Sequence, residues 1–135
     1  MFTGTRSSKM PCILIIDDDS GVRGVLKTML ERSGYEVMTG ASGVDGLTAA
    51  RARRPDLVLL DIEMPGMNGF DVCSLIKTDT ALRSVPVVIM TGRPTAGIPA
   101  RVQAVGAMDL ITKPFDRNIL LKKISTCLAA DGPAE

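Results

Sequence analysis

Four places in this chain of 135 residues carry side chains able to do chemistry. Asp17, Asp18 and Asp19 stand in a row, while Asp61, Thr91 and Lys113 stand alone and far apart. Each place lies at the end of a short apolar run: CILII, LVLL, VPVVIM and MDLI in turn. Singly these residues are ordinary, because an Asp after a strand is commonly a turn former or helix cap. Together they are not. Carboxylates from Asp17, Asp18 and Asp61 crowded into one cleft would repel, raising their pKa values or splaying apart. A hard divalent cation relieves that repulsion, and Mg2+, with Mn2+ as a substitute, prefers oxygen ligands. Nitrogen and sulfur donors are missing at these positions, which argues against zinc or copper. Lys113 adds a positive charge and Thr91 a hydroxyl donor. A cation, an ammonium, a hydroxyl and a free carboxylate facing one point suit a phosphoryl group. A carboxylate can also attack phosphorus and become an acyl phosphate.

Such a cleft needs elements that bring the run ends together. Cys12–Ile16 is a continuous apolar run, as in a strand covered on both faces. Val22, Val25, Leu26, Met29 and Leu30 then form one helical stripe, with Ser20 as its expected N-cap and Gly34 as its stop. Tyr35–Thr39 is a less apolar strand and belongs nearer an edge. Ser42, with Asp45 three residues on, opens a second helix that runs to about Arg53. Asp56–Leu60 and Val85–Met90 read as the third and fourth strands, and Met108–Ile111 as a weak fifth. Between them, Met64-Pro65-Gly66 signals a turn, and a helix follows with Phe70, Cys73 and Ile76 inward. Pro94, Gly97 and Pro99 oppose a helix interior, so only a short helix from near Pro99 to Val105 is expected there. Asp116 caps a last helix carrying Leu120, Ile124, Cys127 and Leu128 on one face.

Five strand–helix alternations predict a single α/β domain, a doubly wound (βα)5 unit with a parallel sheet. In such sheets sites form at the carboxyl ends of the strands, where the chemical residues fall. The expected domain is residues 11–130, between a disordered N-terminal tail (1–10) and a C-terminal tail (131–135). Sixteen basic residues against fifteen acidic leave a net charge of +1, so nothing announces a nucleic-acid or membrane surface. With no histidine, any His base, His ligand or phosphohistidine within this chain is excluded. Cys12, Cys73 and Cys127 are too far apart for a metal or redox motif; their apolar settings suggest buried thiols in a reducing compartment. No secretory leader pattern is visible, nor any apolar run near the ~18 residues of a membrane span. A cytoplasmic protein is the default expectation.

The segments ILIIDDDSGVR, PDLVLLDIEMPGMNGF, VPVVIMTGR and ITKPF, in this order and spacing, resemble the receiver domain of two-component response regulators, the CheY-like family. The resemblance runs from about Pro11 to Ala130. It implies a flavodoxin-like sheet of order 2-1-3-4-5. It implies that Asp61 is the phosphoacceptor. Asp18 would bind Mg2+ directly, Asp17 mostly through water, and the Glu63 backbone carbonyl would be a further ligand. Asp19 matches no metal position and is expected to cap the first helix. Thr91 would bond a phosphoryl oxygen, Lys113 would pair with the phosphoryl group, and the Lys113–Pro114 bond would be cis. A sensor histidine kinase or histidine phosphotransfer protein would donate the group from its own histidine. The receiver would catalyse its own phosphorylation and dephosphorylation without being a turnover enzyme. The fourth helix, fifth strand and fifth helix would meet a downstream protein partner, and a phosphorylation-dependent dimer is left open.

Two departures from the family pattern stand out. The aromatic residue usual three positions before the lysine is Leu110 here, so no ring can turn inward with Thr91. The fourth-helix region carries Pro94, Gly97 and Pro99, so activation is expected to order a short mobile segment. Glu63 and Arg93 lie two residues after Asp61 and Thr91, where an ion pair across the site and two independent solvated side chains are equally open readings. Two other functions compete with this one. A haloacid-dehalogenase-type phosphatase would use Asp17-Asp18-Asp19 as its DxD. It would leave Asp61 idle and needs an acidic strand end after the lysine, which Asp116 and Asp131 do not supply. A receiver kept only as a binding module would not need the full set of site residues.

Overall fold

The computed structural model describes residues 10–131 and arranges them as five alternating strand–helix pairs. In chain order these are β1 (Cys12–Ile16), α1 (Ser20–Arg32), β2 (Glu36–Gly40), α2 (Gly43–Ala52) and β3 (Leu57–Asp61). Then come α3 (Gly69–Thr78), β4 (Val87–Thr91), α4 (Ile98–Ala104), β5 (Asp109–Thr112) and α5 (Arg117–Asp131). All strands pair in parallel, in the order β2-β1-β3-β4-β5. The doubly wound arrangement and strand order expected from the sequence are therefore present. Both expected tails fall almost wholly outside the described residues.

The three apolar runs occupy the middle of the sheet because only there are both faces covered. Every residue of β1, β3 and β4 is buried. Strand alternation sends their side chains to opposite faces. Leu14, Ile16, Val58, Leu60, Val87 and Ile89 pack with Leu47, Phe70, Cys73, Ile76 and Val102 from α2, α3 and α4. Ile13, Ile15, Leu57, Leu59, Val88 and Met90 pack with Leu26, Leu30, Leu120, Ile124 and Cys127 from α1 and α5. Each such aliphatic side chain contributes roughly 1.5–3 kcal/mol by leaving water. β2 is the less apolar edge strand, as its composition suggested. The three cysteines are buried and free, two of them in these cores.

Side-chain caps fix where the helices start. Ser42 accepts from the Asp45 amide at 3.1 Å, and Asp116 accepts from the Asn118 and Ile119 amides. The expected cap of α1 needs correction. Ser20 is already helical, and Asp19 Oδ1 accepts from the amides of Gly21 (2.8 Å) and Val22 (3.2 Å). An ionised carboxylate at that place also suits the positive end of the helix dipole. The stop at Gly34 is real: its φ of +97° is the left-handed conformation that a side chain opposes. α4 begins at Ile98, one residue before the expected Pro99, and has no side-chain cap.

Candidate functional site

The sheet register carries the chemical residues to one edge. Ile16 pairs with Leu60, so Asp17 follows β1 beside Asp61 at the end of β3. Asp61 pairs with Met90, which puts Thr91 one step farther along β4. Thr91 pairs with Thr112, and the Lys113 amide donates to the Thr91 carbonyl at 2.8 Å. The Lys113–Pro114 bond is cis, as the resemblance implied.

The side chains converge as well. Asp17, Asp18 and Asp61 each offer a carboxylate oxygen, and these oxygens lie within 4.8 Å of one another. The Lys113 ammonium is 2.8 Å from Asp17 Oδ2 and 3.5 Å from Asp61 Oδ2. Asp17 is fully buried; its Oδ1 accepts from the Asp19 amide at 2.9 Å, and its carbonyl accepts from Arg23 Nη1 at 2.7 Å. Asp61 is 2% exposed and its Oδ1 accepts from the Glu63 amide at 3.0 Å. Asp18 faces solvent. Two acids are thus anchored, and a third lies open at the mouth.

The electrostatics follow from that crowding. Burial pushes the Asp61 carboxyl above its ordinary value. The Glu63 amide opposes the shift, Asp17 adds to it, and Lys113 again opposes it. For Lys113, burial works against the charged form, yet the bond to Asp17 and the two carboxylates outweigh it and raise its pKa. One ammonium cannot neutralise three carboxylates. The donors are all carboxylate oxygens, the Asp18 side is open, and no imidazole or thiolate is among them. This set fits a hard divalent cation such as Mg2+ and does not fit a softer metal.

Thr91 is buried with its hydroxyl in use. Oγ1 donates to Glu63 Oε2 at 3.1 Å and accepts from the Arg93 amide at 3.0 Å. Glu63 Oε1 accepts from the Gly92 amide at 3.1 Å. A Glu63–Arg93 ion pair does not form; among the described residues Arg93 has no carboxylate partner. A buried hydroxyl and an amide hold Glu63 more firmly than an exposed guanidinium could. Sequence reading gave Arg23 no role either. Its spacing within α1 carries no signal that it reaches back to the Asp17 carbonyl.

Residues 13–125 match the family model described as a response regulator receiver domain. The chain is 39% identical over 120 residues to the protein PilH of Pseudomonas aeruginosa, covering 89% of this chain and 99% of PilH. It is 38% identical over 120 residues to the transcriptional regulatory protein AfsQ1 of Streptomyces coelicolor; that covers 88% of this chain but only 52% of AfsQ1. Among solved structures it is similar to the signal receiver domain of a signal transduction histidine kinase from Syntrophus aciditrophicus. There the TM-score is 0.84, the identity 30%, and the coverage 93% of this chain and 95% of that one.

Proposed function

This chain belongs to the response regulator receiver family of two-component signalling, and from that premise we propose that Asp61 is its phosphoacceptor, served by Asp17, Asp18, Thr91 and Lys113. One observation carries the proposal. Lys113, 96 residues from Asp17 in the chain, lies within 3.5 Å of both Asp17 and Asp61, in a cleft where three carboxylates converge. A fold with no use for the cluster would not gather three like charges there, since their repulsion weakens the native state.

The transfer needs little covalent work from the protein. An Asp61 carboxylate oxygen bonds to phosphorus while the bond from phosphorus to the donor's imidazole nitrogen breaks, and that electron pair returns to the imidazole. The donor is a histidine kinase or histidine phosphotransfer protein, because this chain has no histidine of its own. Lys113 is already charged and positioned to neutralise a phosphoryl oxygen, and its cost of ordering is met by Asp17 beforehand. The Thr91 hydroxyl supplies a hydrogen bond. Asp17, Asp18, Asp61 and the Glu63 carbonyl would hold Mg2+. When bound, that ion offsets the carboxylate charge and the charge developing on the transferred oxygens. Water later attacks the acyl phosphate and restores Asp61, so the domain catalyses its own cycle and turns over no separate substrate.

Residues 11–130 form the proposed unit, with α4, β5 and α5 presenting the altered face to a downstream protein. Among the described residues no helix is long and apolar enough to cross a membrane. Three free buried thiols fit a reducing compartment, and we place the domain in the cytoplasm. The test is mass spectrometry after incubation with acetyl phosphate and Mg2+. The wild type should gain one acid-stable, alkali-labile phosphoryl group and Asp61→Asn none. Equal labelling of both would overturn the assignment.

A further inference from the structure

Glu63 spans the mouth of the site in an unusual way for an exposed side chain. Its amide donates to Asp61 Oδ1, while its carboxylate reaches across to the end of β4. There it takes the Thr91 hydroxyl proton with one oxygen and the Gly92 amide with the other. A hydroxyl has one proton to give. Thr91 gives it to Glu63, which fixes the hydroxyl rotor, while one of its two lone pairs accepts from the Arg93 amide.

An anion therefore already sits on donors at the end of β4, the strand paired beside Asp61. We propose that the Glu63 carboxylate is a resident stand-in for the phosphoryl group, and that it must leave the Thr91 hydroxyl and the Gly92 amide before these can serve an oxygen on Asp61. The proposal rests on Asp61 being the phosphoacceptor. Two consequences are physical. In the resting state Glu63 is a positioning residue, holding Thr91 hydrogen-bonded rather than free to rotate. During loading it is a competitor, because two anionic groups cannot share one proton and they repel at close range. The displaced carboxylate is set free at solvent, next to the 93–97 segment, only when the site is charged.

The probe is beryllofluoride with Mg2+, an anion that adds to an aspartate as a phosphoryl group does. Titration calorimetry would compare wild type, Glu63→Gln and Glu63→Ala, and NMR would follow the Gly92 amide. Glu63→Ala should bind about fivefold more tightly, a modest factor because the Glu63 side chain is itself exposed. Glu63→Gln, which keeps an acceptor but loses the charge, should fall between. Without any ligand, Glu63→Ala should shift the Gly92 amide resonance upfield and speed its exchange; beryllofluoride should restore protection. Affinity in Glu63→Ala equal to or weaker than wild type, or an unmoved Gly92 amide, would overturn the inference while leaving Asp61 intact as the acceptor. Failure of the wild type itself to bind the probe would remove the phosphoacceptor assignment, and this inference with it.

Discussion

Asp61 is a carboxylate held where its charge is least welcome. Burial raises its pKa, and Asp17 adds to the effect, while Lys113 only partly compensates. The sign of the linkage follows. A carboxyl with a raised value in the folded state contributes stability below its ordinary pKa, and loses it as pH rises through the raised value. In metal-free buffer Asp61→Asn should therefore be more stable than wild type near neutral pH by about 1 kcal/mol, since removing a poorly compensated buried charge is commonly neutral or favourable. Lys113 keeps Asp17 as its partner, so the variant does not strand the ammonium. Urea unfolding at several pH values would check this. The gap should close toward acid pH, and an advantage for wild type at neutral pH would contradict the burial argument. Most of this site was legible in the sequence because each residue closes an apolar run, and parallel strands end at a common edge. The Glu63–Thr91 bond was not. Residue types predict which charges attract, and Arg93 is the nearer guess for Glu63; only the backbone path shows that the Thr91 hydroxyl lies within reach.

Among the elements, α3 bears most directly on the site because it starts against the end of β3. Gly69 opens it, and a Cβ there would stand 2.5 Å from the Asp61 carbonyl oxygen and 2.5 Å from Ile62 Cα. Both are backbone atoms and cannot swing aside. Gly69→Ala should thus destabilise the fold by about 2–3 kcal/mol through overpacking, and it should push the Asp61 strand end off position. Gly24 in α1 is the contrast. Nothing lies within 4 Å of a Cβ built there, so Gly24→Ala should stabilise by roughly 0.5–1 kcal/mol through helix propensity. Chemical denaturation of both variants reads the difference; similar effects would refute the steric account. The element types and order followed from periodicity, whereas the ends shifted by a residue or two. In α1 the DDDS run offers two capping residues in succession, and Asp19 rather than Ser20 takes the first turn. Strand ends slid in the same manner: β2 ends on Gly40 and β3 includes Asp61, because ladder pairing, not side-chain polarity, decides where a strand stops.

At the scale of the whole molecule, the proposed function requires that charging the site reach a distant surface without an aromatic relay. Leu110 sits on β5 and packs into the layer holding α3 and α4, so it offers bulk but no ring to reorient. The weak part of the architecture is next to it. α4 is seven residues long, begins at Ile98 with Gly97 before it and no side-chain cap, and has Val102 as its one buried residue. Its other ties are partial: Ile98 packs half-buried on the core, the Arg101 guanidinium lies 4.0 Å from the Phe70 ring centre, and just past its end the Cys73 thiol donates weakly to the Val105 carbonyl. An element with so little burial opens at low free energy. Such a segment can carry a signal by gaining order, since a ligand that favours its closed form shifts the population toward it. Thr91 and Gly92 lead straight into this segment, so a new bond from the Thr91 hydroxyl pulls on residues 93–97 first. Hydrogen exchange measured with and without beryllofluoride and Mg2+ should show several-fold slower exchange across residues 93–105. Amides of the central strands, already limited by global unfolding, should stay unchanged. If protection at 93–105 does not rise, ordering of α4 is not the switch, and the signal must leave through β5 and α5 by movement of already folded parts.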